Sequence, residues 1–194
     1  MTSSVQSSRF DGSRFKVSAP AQLKLPLTNP RYRRPTMTVA AAKGMLDLGE
    51  DDIIELIEVQ VALIAWDIAT PGHRGAERRR ELRILTQSVA EYQQLNPARC
   101  EEYYCAITPD AAINLLLSTI DARHSIPRDF ITGNEVQRVF NCGSTHVINL
   151  IQSKALALVP KTDYQRGPGG SPSIARESFI EFLTTRYVGG LLSC

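Results

Sequence analysis

One short stretch gathers hydrogen-bonding side chains with no acid among them: Ser144, Thr145, His146, Asn149 and Gln152, with Lys154 just beyond. Hydroxyls, amides and imidazoles can meet the edges of nucleic-acid bases, and Asn and Gln pair two-pronged with adenine. Lys154 and, upstream, Arg138 suit phosphate oxygens. Lys161, Tyr164 and Arg166 add further phosphate-directed groups before Gly167-Pro168-Gly169-Gly170. That glycine run is a flexible tip and not a phosphate loop, because no Gly-Lys-Ser/Thr follows it. An earlier stretch has the opposite chemistry. Glu50, Asp51, Asp52, Glu55 and Glu58 occur with no basic residue between positions 50 and 58. DNA carries about one negative charge per 1.7 Å of axis, so these acids oppose it and suit a protein contact instead. Early acids also favour a helix dipole, which accounts for Glu50 to Asp52 but not for Glu58. Downstream of them His73, Arg74, Arg78, Arg79, Arg80 and Arg83 form a basic cluster, either a solvated face or a contact to phosphate or the minor groove.

No residue set supports catalysis. His73, His124 and His146 lack metal-ligand spacing, and Cys100, Cys105, Cys142 and Cys194 form no CxxC pair. Neither a nucleophile elbow nor a P-loop is present. The expectation is a non-enzymatic protein without metal or cofactor, with free thiols in a reducing compartment. Trp66, the sole Trp, follows an apolar run and reads as core.

The elements that must position these groups occur twice. Residues 37–67 and 131–161 align without a gap at an offset of 94. Thr132 is placed to cap a helix and Glu135 to complete a capping box, with Thr38 matching Thr132. Ala42, Met45, Leu46, Leu48, Ile53 and Ile54 match Val136, Val139, Phe140, Cys142, Val147 and Ile148, which read as inner-face positions. Gly49 matches Gly143, expected to take a positive φ in a tight turn, and Ser144 is expected to cap the second helix. Further on, Ile84, Ser88, Val89, Glu91 and Tyr92 match Ile174, Ser178, Phe179, Glu181 and Phe182 at an offset of 90. A first hairpin loop four residues longer than the second accounts for the change, which loops tolerate at small entropic cost.

Three segments carry a family resemblance: Ile131-Thr132-Gly133-Asn134-Glu135-Val136, Asn141-Cys142-Gly143-Ser144-Thr145-His146-Val147 and Leu150-Ile151-Gln152-Ser153-Lys154. Together they resemble the excisionase and MerR-type winged helix-turn-helix. The run from Ser173 through Ile174-Ala175-Arg176-Glu177-Ser178-Phe179 resembles that family's last strand and closing helix. The first copy is similar more loosely, through Glu81-Leu82-Arg83-Ile84 and Ser88-Val89. The resemblance implies double-stranded DNA as partner, the second helix in the major groove and the hairpin wing on the backbone. The long dimerisation helix and cysteine cluster of MerR-type metal regulators are missing, and no small-molecule effector is evident.

The expected fold is mainly α with small β-hairpins, two winged helix-turn-helix modules joined by a helical connector. Residues 1–36 read as a basic arm, 37–95 as the first module, 96–130 as the connector, 131–188 as the second module and 189–194 as a tail. Asn96-Pro97 and Thr108-Pro109 place a cap residue before a first-turn Pro in the connector. The connector belongs to neither copy on this reading. The arm holds seven basic residues and one acid, +6, which leaves 15 basic against 19 acidic residues, −4, elsewhere. Arg31, Arg33 and Arg34 could serve as a minor-groove arm or belong to an ordinary disordered terminus. No apolar run is long enough to cross a bilayer and no secretory signal is evident, so a cytoplasmic, DNA-associated protein is expected. The first copy's acidic segment and the connector equally suit an assembly factor, self-associating or seeded by DNA as in plasmid or phage segregation.

Overall fold

The computed structural model describes residues 34–71, 80–94, 107–126, 128–160 and 170–188. Among these are seven helices and two small antiparallel sheets, a mixed α/β arrangement dominated by helix. The first unit runs β1 (Thr36–Thr38), α1 (Val39–Leu46), α2 (Glu50–Glu58), β2 (Ala65–Asp67), β3 (Leu82–Leu85) and α3 (Thr86–Gln94). After α4 (Pro109–Asp121) the second unit repeats the plan. It consists of β4 (Phe130–Thr132), α5 (Gly133–Phe140), α6 (Ser144–Gln152), β5 (Ser173–Ala175) and α7 (Arg176–Thr185). Leu158 bridges to Ile174 in the place that β2 holds beside β3. A last strand, β6 (Tyr187–Val188), follows α7.

Local chemistry starts and stops the helices. Thr38 Oγ1 accepts from the Ala41 amide at 3.2 Å and Thr132 Oγ1 from the Glu135 amide at 3.3 Å. Glu135 returns a carboxylate oxygen to the Thr132 amide at 2.7 Å, which completes the capping box. The same carboxylate holds Arg128 at 2.6 Å, with His124 Nε2 at 2.5 Å. Both turns between paired helices pass through a left-handed residue, Asp47 (φ 57°) and Asn141 (φ 50°). These short polar residues tolerate that conformation better than other side chains. Gly143, expected to be the left-handed position, instead sits at φ −79° and is itself the N-cap of α6, so Ser144 is the first helical residue and not the cap.

The strand registers reproduce the sequence offsets. Met37 faces Ile84 as Ile131 faces Ile174, offsets of 94 and 90. The Thr86 amide donates to Pro35 and the Arg176 amide to Asp129, both at 3.0 Å. Ser88 and Ser178 accept from matching backbone amides, Ile64 at 3.2 Å and Ala157 at 2.8 Å. The ungapped alignment fails at one place. After the second helix Val61 (φ 50°) corresponds to Lys154 (φ 63°), an offset of 93. Leu63 returns to Leu56 as Leu156 returns to Leu150, so the second unit is one residue shorter there.

The two units share a core. Met37, Ile53, Leu56, Ile57, Leu63 and Ile84 pack within the first unit. Ile64, Trp66, Ile68 and Leu85 face the other way, into a cluster with Leu116 and Ile120 of α4 and Ile131, Phe140, Leu150 and Phe179 of the second unit. Burial of Ile64, Ile68 and Leu85 alone contributes about 1.5–3 kcal/mol each, a large share of a domain's net stability. The helix α4 is therefore part of the second core and not a separate linker, and Arg176 pins its end through a two-pronged contact to Asp121 at 2.8 and 2.6 Å. Strand β6 adds to the free edge of β2, giving the order β1-β3-β2-β6 across both units. There Tyr187 meets Trp66 edge-on at 6.4 Å.

Candidate nucleic-acid interface

Helix α6 turns Val147 and Leu150 into the core and leaves Ser144, Thr145, Ile148 and Gln152 exposed, with Asn149 half-buried. Ile148 departs from its expected inner-face position and is 47 % exposed. Arg138, on α5, and Lys154, two residues beyond α6, are exposed. No acid lies on the helix itself. A groove of about 710 Å³ runs from the end of α6 along α7, and its lining sets Lys154 and Arg186 against Glu177 and Glu181.

His146 is not free to read a base. Its Nε2 donates to the Ile68 carbonyl at 2.8 Å and its Nδ1 lies 3.4 Å from Glu81 Oε2, so the ring belongs to the junction between units. Arg83 likewise leaves the set of backbone contacts. It is 7 % exposed, donating from Nε to the Phe140 carbonyl at 2.5 Å and from Nη2 to Glu81 at 2.7 Å. Thr36 Oγ1 donates to the Val139 carbonyl. The guanidinium thus meets the negative end of the α5 dipole. The helix–turn–helix bend at 141–143 is bracketed by three hydrogen bonds to the first unit, from Thr36, from Arg83 and between His146 and Ile68.

On α2 the acids have separate partners. Asp52 accepts from the Gly49 amide at 2.8 Å, closing the first turn. Glu55 accepts from Gln60 at 3.2 Å, and Glu58 pairs with Arg80. The acid that the helix dipole leaves unexplained, Glu58, and one cation of the basic cluster therefore offset each other. Glu50, Asp51 and Glu55 remain exposed. Cys142 is a free thiol within the bend, and burial pushes its pKa up to about 11.

Arg34 is exposed, and its carbonyl accepts from Thr86 Oγ1 at 2.7 Å. Arg31, Arg33, His73, Arg74, Arg78, Arg79, Lys161, Tyr164 and Arg166 lie outside the described residues, as does Asn96-Pro97. Thr36, Ile68 and Glu81, which hold the bend, carry no sequence signal of that role. The nearest hint is Arg83 itself, a charge inside the otherwise apolar strand Leu82–Leu85. Among the described residues no group of three or more His, Cys, Asp or Glu could hold a metal, and no helix is long and apolar enough to cross a membrane. No family model, curated protein or solved structure matches the chain.

Proposed function

We propose that the chain binds double-stranded DNA as a tandem of winged helix-turn-helix modules with one reading helix, α6, acting as a transcriptional regulator or an excisionase-like architectural factor. The observation that carries this reading is the exposed, acid-free, hydrogen-bonding face of α6, on a bend held from the other unit. Ser144, Thr145, Asn149 and Gln152 face base edges, while Arg138 and Lys154 meet phosphates. The first unit is support: its second helix is acidic, and its hairpin strand β2 is covered by β6. No catalytic role is assigned to any residue, and the protein is assigned to the cytoplasm.

A duplex titration across salt tests the reading. The logarithm of affinity should fall with the logarithm of salt, by about 0.9 for each phosphate contacted. Asn149→Ala should relax sequence preference, whereas Arg138→Ala should weaken all duplexes alike. A slope near zero, or no preference over random duplex, refutes it. A second reading, a protein-assembly factor, is favoured by Val59, 66 % exposed at the end of the acidic helix α2. Stable DNA-free oligomers in light scattering, together with failure to bind duplex, would select it.

A further inference from the structure

The face of α6 contains one residue that its polarity does not explain. Ile148 is 47 % exposed, with Ser144 and Thr145 one turn before it and Gln152 one turn after. Its neighbours Val147 and Leu150 are buried, so the core beneath the helix is already filled from adjacent positions. An exposed β-branched apolar side chain in the middle of a hydrogen-bonding face gains by contact with an apolar group set among donors and acceptors. The major groove offers one such group, the C5-methyl of thymine. The matching residue of the first unit, Ile54, is less exposed and is flanked by Glu50, Asp51, Glu55 and Glu58, a setting that excludes the phosphates around such a methyl.

We infer that Ile148 packs on a thymine methyl and that Gln152, one turn further along the same stripe, reads the adenine of a neighbouring pair. The substrate class is then a duplex with A·T pairs centred under α6. This inference rests on α6 being a major-groove helix, and the test separates the two. Duplexes are selected by the full-length chain from a pool with a randomised core. Each thymine of the best duplex is then replaced singly by deoxyuridine, which removes only the methyl. The wild type should lose about fourfold in affinity at one position, the worth of one buried methyl-sized group. Ile148→Ala should bind the thymine and uracil duplexes equally, with Ile148→Val between the two, and circular dichroism should show both variants folded. Gln152→Ala should lose preference at the adjacent pair. Indifference of the wild type to every uracil overturns the inference and leaves DNA binding intact. So does unchanged discrimination by Ile148→Ala, or an Ile148-dependent dimer in sedimentation without DNA. Failure to enrich any duplex overturns the DNA-binding reading itself.

Discussion

Two arginines three residues apart should differ sharply in what they contribute, because one is inside the junction and the other is on the surface. Arg83→Met keeps an unbranched stem and removes the guanidinium. The variant loses the 2.5 Å hydrogen bond to the Phe140 carbonyl at the end of α5 and the 2.7 Å contact to Glu81. A hydrogen bond from a charged group contributes about 1.5–3 kcal/mol. Glu81 has a side chain 40 % exposed and rehydrates, so its share adds little. The expected loss is about 2–3 kcal/mol, dominated by the uncapped carbonyl. Arg80 is 57 % exposed and Glu58 29 %, so Arg80→Ala should cost no more than about 0.5 kcal/mol. Urea unfolding reads both values, followed by Trp66 fluorescence and by far-UV circular dichroism. Trp66 is fully buried in the core common to both units, so the two probes should trace one transition. The reasoning is refuted if Arg83→Met costs no more than Arg80→Ala. It is also refuted if the Trp66 signal is lost in a separate, earlier transition, which would mean that the units dock weakly and fold alone.

The hydrogen bonds from Arg176 hold the Asp121 carboxyl below its usual range, outweighing the upward effect of partial burial. A carboxyl lowered in the folded state stabilises above its unfolded pKa of about 3.9, and that contribution is lost as pH falls through the folded value. Asp121→Asn should therefore be less stable than the wild type at neutral pH, with the gap closing below about pH 4 in urea melts; a gap independent of pH would count against the pair. Val61 holds a β-branched side chain at φ 50°, a conformation costing roughly 1–2 kcal/mol for L-residues other than Gly, Asn and Asp. Val61→Asn should raise stability by about 0.5–1 kcal/mol in the same melts, and an unchanged or lower midpoint would show that its packing outweighs the strain. With a thiol pKa of about 11, Cys142 should resist iodoacetamide at pH 8 in the native chain and react readily in urea. Peptide mapping by mass spectrometry follows it, and equal labelling in both states would place the thiol at the surface.

Local features of the fold were legible because their physics is local. The Thr132–Glu135 capping box, the paired short helices and the two offsets depend on neighbours a few residues apart, and all reappear in the hydrogen bonds. The one-residue slip after the second helix was not legible, since Val61 gives no sign that it adopts a left-handed turn. Trp66, after its apolar run, reads as core and is fully buried, whereas the covering of strand β2 on both faces was not legible. What covers the second face is a tertiary matter, and two site residues depended on it. Arg83 and His146 look like surface contacts until the second unit is docked, and β6 takes the edge of a hairpin that reads as a free wing. Ile148 failed for a different reason. It sits at the boundary of the apolar stripe on α6, where helical periodicity alone assigns it to either face.

The way the halves join also limits what the duplication can build. The sheet face of the first unit meets the end of α5 and the start of α6 of the second, and its β2 edge takes strand β6, a heterologous contact between different surfaces. Such a contact propagates from copy to copy only where every unit carries both surfaces. Ile64, Trp66, Arg83 and Leu85 form the sheet face of the first unit, and the matching places of the second hold Ala157, Val159, Ser173 and Ala175. The large apolar groups and the capping guanidinium are replaced by smaller side chains with no cation among them, so the second unit cannot receive a further copy as the first receives it. The two units have diverged on two faces in opposite senses, with acids on α2 where α6 has none and an apolar sheet where the second unit has smaller residues. Any array of chains along DNA must then be built through a surface other than the one that unites the halves. Substitutions at Arg83 or Trp66 should accordingly act within one chain and leave the association between chains unchanged.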